Sequence, residues 1–249
     1  MNRFENKRIL ITGGTSGMGF AAARRIVDEG GEVAVTGHSQ DHLDEAGRTL
    51  PSGSLVLRND ASDPAAAKEL GEKVREQMGT IDGLWLNAGY GAFRPNDQND
   101  AEFFDQLNNT NVRGPVLQFG ELMDTIADGG SVVVTSSVAP YLGQPEGTVY
   151  AGTKAALTAM TRSWAMTMAQ RGVRVNSIGP GPIETSFMDG LDLDEDQREG
   201  FVEQVKSQVP LGRLGNAEEA AEVALFLLSD AASYVSGSQY MVDGGMTLR

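Results

Sequence analysis

Short apolar runs alternate along this chain with longer stretches in which apolar residues recur every three or four positions. RILIT (8–12), EVAVTG (32–37), SLVLR (54–58), DGLWLN (82–87), SVVVTSS (131–137), VRVNSI (173–178) and QYMVD (239–243) predict strands. Several are β-branched and nearly continuous in apolar character, as suits strands covered on both faces. GFAAARRIVDEG (19–30), DPAAAKELGEKVREQM (63–78), YAGTKAALTAMTRSWAMTMAQRG (150–172) and NAEEAAEVALFLLSD (216–230) predict helices. Asp63 before Pro64 reads as an N-cap followed by proline in the first turn. Asn216 and Glu219 have the spacing of a capping box. Strand and helix in alternation imply an α/β fold: one domain over 1–249, a doubly wound parallel sheet of about seven strands with helices on both faces. The stretch SFMDGLDLDEDQREGFVEQVK (186–206) departs from this pattern. It is acidic, lacks core patterning and follows a glycine- and proline-rich break, so it reads as a solvated loop or as a lid over a site.

Composition narrows the chemistry. The 249 residues include no cysteine, which removes disulfides, thiolate nucleophiles and Cys-ligated zinc. The two histidines, His38 and His42, share one short segment, so no metal site is expected. The net charge of −14, from 34 acidic and 20 basic residues, repels nucleic acid and anionic membranes, and neither is expected as a partner. The start of the chain lacks a signal-peptide stretch, and no segment approaches the length of a membrane span, so a cytoplasmic location is expected.

Two motifs carry candidate chemistry. ILITGGTSGMGFAAARR places Gly13, Gly17 and Gly19 between the first strand and the first helix. Small residues there let backbone approach a pyrophosphate, and the helix N-terminus offers unpaired N–H groups and partial positive charge. Thr12, Thr15 and Ser16 add hydroxyls, and Met18 lies within the same turn. Further on, TVYAGTKAA (148–156) places Tyr150 four positions before Lys154, so both lie on one helix face. A free tyrosine has a pKa of about 10. A nearby ammonium favours the phenolate and lowers that value.

The spacing T-G-x-x-x-G-x-G from Thr12 to Gly19 resembles the short-chain dehydrogenase/reductase family, and the resemblance runs over essentially the whole chain. LNAG (86–89) is similar to the family's N-N-A-G turn: Asn87, Ala88 and Gly89 match, while Leu86 replaces the first Asn. TNVRG (110–114) matches the segment that carries the family's catalytic asparagine, here Asn111. Ser137 stands thirteen positions before Tyr150, as the family's catalytic serine does, and Lys154 completes Y-x-x-x-K. IGPGPIET (178–185), with Pro180, Gly181, Ile183 and Thr185, resembles the segment that cradles the nicotinamide. YMVDGG (240–245) resembles the last strand.

The resemblance implies a Rossmann-type fold and an NAD(P)-dependent oxidoreductase. Tyr150 would be the general acid in reduction and the general base in oxidation. Lys154 would lower its pKa and hold the nicotinamide ribose. Ser137 would hydrogen-bond the substrate oxygen, and Asn111 would support a proton-relaying water. Asp60 matches the family's adenine-contacting acid, with Ala61 beside it. Gly37 stands where an NAD-selective acid would be, and His38 where NADP-dependent relatives often have arginine. With Ser39 as a further donor, NADP is favoured over NAD.

The expected substrate is a small alcohol, sugar, hydroxy acid or ketone, with Ala139, Gln144, Tyr90, Phe93 and the 186–206 segment near it. A 3-oxoacyl-(acyl-carrier-protein) reductase is an alternative. ELMDTIADGGS (121–131) offers an acidic carrier no basic residue, and Arg171 alone is thin support. A non-catalytic nicotinamide-binding sensor or scaffold is a second alternative, but Tyr150 and Lys154 are both retained. An extended sugar-nucleotide epimerase is a third, but the chain leaves it little room. Apolar and small residues on several faces of the Tyr150 helix (Ala155, Ala156, Ala159, Trp164, Met168), together with the family's habit, favour a homotetramer.

Overall fold

The apolar runs form one parallel sheet. In the computed structural model, which describes residues 2–185 and 195–248, its strands are β1 (Arg8–Thr12), β2 (Glu32–Gly37), β3 (Leu55–Arg58), β4 (Ile81–Leu86), β5 (Ile126–Thr135), β6 (Arg174–Pro180) and β9 (Gln239–Val242). Their order is β3-β2-β1-β4-β5-β6-β9, and each neighbouring pair is parallel. A separate pair of two-residue strands joins β7 (Ile183–Glu184) to β8 (Gly215–Asn216). Strand order reverses between β1 and β4, and in such sheets ligands bind outside the carboxyl ends of the strands at that point.

Alternate side chains feed the two faces. Ile9, Ile11, Trp85 and Val133 pack with α1 (Gly17–Asp28) and α9 (Ala217–Leu228). Leu10, Leu84, Leu86 and Val132 pack with α3 (Pro64–Gln77), α5 (Gly114–Leu122) and α7 (Thr148–Met168). Trp164 turns inward to stack on Phe119, with ring centroids 4.5 Å apart. Both caps read from the sequence form. The Asp63 carboxylate accepts the Ala65 N–H at 2.9 Å. Asn216 Oδ1 accepts the Glu219 N–H at 2.8 Å while Glu219 Oε2 accepts the Asn216 N–H at 2.9 Å.

Several helices were not expected: the polar α2 (Gln40–Thr49), the amphipathic α4 (Ala101–Asn108) and the short, apolar α6 (Ala139–Leu142). Helix α8 (Glu195–Gln208) corrects the reading of 186–206 as one irregular segment, since its second half is regular helix. Residues 186–194 lie outside the described residues. Among the described residues, no helix is long and apolar enough to cross a membrane.

The Asn216 cap opens the helix that covers the centre of the sheet. Asn216→Ala is therefore expected to cost about 1 kcal/mol in chemical denaturation. A loss below a few tenths would mean the cap is immaterial.

Candidate active site

Close backbone approach builds one end of the site. Gly13 and Gly17 have φ of 63° and 53°, conformations a side chain resists. A Cβ on Gly13 would lie 2.8 Å from Ala88 Cα, and one on Gly19 would lie 2.6 Å from the Gly13 carbonyl and 2.8 Å from Asn87 Nδ2. The glycine-rich loop therefore rests directly on the Asn87–Ala88–Gly89 turn after β4. Thr12 Oγ1 joins them by accepting the N–H groups of Asn87 and Ala88 at 3.1 and 3.2 Å. Ser16 is the N-cap residue of α1, yet its side chain makes no capping bond, so it does not close off the first-turn N–H groups. Met18 packs into the α1–α9 core.

The segment after β6 meets this loop. The Thr185 methyl would be 3.4 Å from a Cβ on Gly17. Pro180 ends β6, where its carbonyl accepts the Val138 N–H at 3.1 Å. A Cβ on Gly181 would lie 2.8 Å from Asp243 Cα, and Ile183 is buried against Gly215. These contacts make a cradle whose fit to a dinucleotide rests on missing side chains and available backbone donors.

The polar cluster lies beside it. Lys154 is only 3% exposed; its ammonium donates to the Thr135 carbonyl at 3.1 Å and sits 5.8 Å from the centroid of the Tyr150 ring. The Ser137 hydroxyl lies close enough to the Tyr150 phenol to lower its pKa and accepts the Ala139 N–H at 3.1 Å. Asn111 is fully buried in a π-helical turn, Asn109–Arg113, between α4 and α5. Such turns are frequent at functional sites. Its side chain accepts the Tyr90 N–H at 3.0 Å and donates to the Tyr90 carbonyl at 2.8 Å and to Thr153 Oγ1 at 3.3 Å. A Cβ on Gly89 would lie 3.0 Å from Asn111 Oδ1 and 3.2 Å from Lys154 Nζ. Asn111 and Lys154 thus converge on one glycine. Phe93 stands edge-on to Tyr150, with centroids 5.5 Å apart.

Burial corrects the expected electrostatics. It pushes the Tyr150 phenol above its ordinary value, and the Ser137 hydrogen bond offsets only part of that rise. The same effect pulls the Lys154 ammonium down to about 8. The phenol is not brought down to neutral pH, because desolvation outweighs the lowering that Ser137 provides. At pH 7 both groups hold their protons.

At the outer end, His38 is exposed and Ser39 is half-buried as the N-cap of α2. Asp60 accepts the Ser62 N–H and hydroxyl at 2.8 and 2.7 Å. These bonds hold its carboxyl below the usual range, with smaller contributions from His38 and Arg58. Ala61 lies against Gly114, where a Cβ would collide with the Ala61 carbonyl. A Cβ on Gly37 would crowd the Thr15 side chain.

Arg58 was overlooked in the sequence. The β2–β3 register pairs it with Gly37, so their side-chain positions share a face, and Arg58 Nη1 donates to Gln40 Oε1 at 3.3 Å. Counting strand register from the end of SLVLR would have found it. Thr153, buried and donating to the Tyr150 carbonyl at 2.7 Å, carried no comparable signal.

A family model described as enoyl-(acyl carrier protein) reductase matches residues 13–247. The chain is 37% identical to a 3-oxoacyl-(acyl-carrier-protein) reductase of Thermotoga maritima, covering 99% of this chain and 100% of that one. It is 32% identical to a glucose 1-dehydrogenase of Gluconobacter oxydans, covering 99% and 94%. A short-chain dehydrogenase/reductase from Serratia marcescens superposes with a TM-score of 0.90 at 28% identity, covering 98% and 99%.

The depressed Lys154 value has a consequence for stability. Between about 8 and the ordinary value of 10.5, the unfolded chain holds the proton and the folded chain does not. Lys154 therefore adds a stability slope that rises with pH by up to about 1.4 kcal/mol per unit. Denaturation of wild type and Lys154→Met from pH 7.5 to 9.5 should show this slope only in wild type. Parallel curves would contradict it.

Proposed function

This chain belongs to the short-chain dehydrogenase/reductase family, and we propose that it moves a hydride between nicotinamide and a carbonyl/alcohol pair, with Tyr150 exchanging the proton. The observation that carries this reading is the convergence of Ser137, Tyr150, Lys154 and Asn111 beside the glycine-rich cradle. The nicotinamide supplies or accepts the hydride. In reduction, Ser137 hydrogen-bonds the substrate oxygen as charge develops on it. The phenol of Tyr150 gives up its proton to that oxygen. Lys154, charged at pH 7, stabilises the phenolate left behind and holds the ribose. Asn111 faces Lys154 across Gly89, the place for a water that returns the proton. A phenol and an ammonium that both keep their protons at pH 7 are in the state that reduction consumes.

NADP is the preferred cofactor in this reading. Gly37 carries no acid, and a Cβ there would crowd the Thr15 side chain, so the group that would repel a 2′-phosphate is missing. Arg58 adds a permanent positive charge to the donors of His38 and Ser39. The substrate is a small free molecule received against Tyr90 and Phe93, both partly exposed. A carrier-protein substrate is disfavoured because Arg171, already thin support for it, is committed to Asp128 and to the carbonyls of Met123 and Ile126. The chain acts as a single domain and assembles as a homotetramer. Exposed Ala155, Ala159 and Met166 along α7, with Phe104 and Val116 on α4 and α5, supply an apolar surface for that assembly.

Wild-type protein should change the reduced-nicotinamide absorbance with at least one member of a panel of ketones, sugars and alcohols. Tyr150→Phe should bind cofactor normally and lose about a thousandfold in kcat. An unchanged rate would remove Tyr150 from the chemistry. Arg58→Glu should raise the KM for NADPH about tenfold or more and leave that for NADH within twofold. Equal changes for both would refute the phosphate contact.

A further inference from the structure

A directed hydrogen-bond relay runs from the core to the glycine-rich loop. Trp85 on β4 is fully buried, and its indole N–H donates to Thr135 Oγ1 at 2.9 Å. Thr135 Oγ1 donates to Asn87 Oδ1 at 2.9 Å, and Asn87 Nδ2 donates to the Gly13 carbonyl at 3.0 Å. The indole can only donate. It therefore fixes Thr135 Oγ1 as its acceptor and turns the hydroxyl hydrogen toward Asn87. That in turn fixes which end of the Asn87 amide faces the loop. With the amide reversed, two oxygens would face each other at Gly13, and the threonine hydroxyl would lose its acceptor.

We propose that Trp85 and Thr135 are positioning residues that lock the glycine-rich loop in its cofactor-binding form. The amide they orient is wedged where the loop is tightest, since a Cβ on Gly19 would touch both the Gly13 carbonyl and Asn87 Nδ2. The backbone carbonyl of the same Thr135 anchors Lys154 at 3.1 Å. One residue thus serves both ends of the site, through its hydroxyl toward the cofactor loop and through its carbonyl toward the lysine. The two can be separated, because a valine keeps the carbonyl and loses the hydroxyl.

This inference rests on the nicotinamide-dependent reading above, and fluorescence titration with NADPH tests the two separately. Trp85→Phe, which keeps an apolar ring but no N–H, should raise the NADPH dissociation constant threefold to tenfold. Thr135→Val should raise it at least tenfold, and Thr135→Ser should restore it to within twofold of wild type. Melting temperatures should not track these changes, and the pH dependence of kcat in Thr135→Val should match wild type because the Lys154 anchor persists. Unchanged affinity in folded Trp85→Phe and Thr135→Val would overturn the relay alone. So would a serine variant no better than valine, or losses that simply follow melting temperature. Wild type that binds neither NADPH nor NADH would overturn the parent reading and the relay with it.

Discussion

An ammonium enclosed by protein, held to one strand-end carbonyl, constrains the architecture around it. Lys154 reaches Thr135 at 3.1 Å only because β5 ends where α7 passes over the sheet. Burying that charge is unfavourable, as its depressed pKa records. The site keeps it charged at neutral pH by a margin of about one unit. The phenol on the same helix face is displaced in the opposite direction by the same loss of solvent. Desolvation raises the phenol and lowers the ammonium, yet both remain protonated at pH 7.

The crevice around this pair is made by absence as much as by contact. Gly13 and Gly19 each stand where a methyl group would strike a neighbour, and Gly89 leaves room for the side chains of Asn111 and Lys154, so the glycine-rich loop meets the Asn87–Gly89 turn at backbone distance. The π-helical turn at Asn109–Arg113 adds a further adjustment, carrying Asn111 to the same glycine that Lys154 approaches. Helix α7 and the end of β5 fix Tyr150, Lys154 and Ser137, while Tyr90 and Phe93 stand on the irregular segment between β4 and α4. This division lets relatives with one scaffold bear names as different as glucose 1-dehydrogenase and 3-oxoacyl-(acyl-carrier-protein) reductase.

Much of this was legible in the sequence because the signals were local. Apolar runs such as RILIT and EVAVTG became strands, and the Asp63 and Asn216 caps form as spaced. The Tyr150–Lys154 spacing placed both side chains on one helix face. What stayed hidden depended on tertiary surroundings. Helices α2 and α8 are polar and carry little core pattern, so periodicity passed over them. The sign of the Tyr150 shift required knowing how much protein encloses the phenol. Arg58 became visible only through its register with Gly37, and Thr135 only through a network linking four strand ends and loops. Ordinary residues at those positions gave no chemical signal of their own.

In the proposed mechanism the Tyr150 phenol, protonated at neutral pH, gives its proton to the substrate oxygen as the hydride arrives. A single-turnover reduction at pH 7, followed by nicotinamide absorbance, tests it most directly, with protium or deuterium at the nicotinamide C4 and in ordinary or heavy water. Slowing of the absorbance change by each substitution, and by both together, is the expected result. A step that ignores heavy water while responding to deuterium at C4 would contradict the account, because the proton would then arrive separately from the hydride.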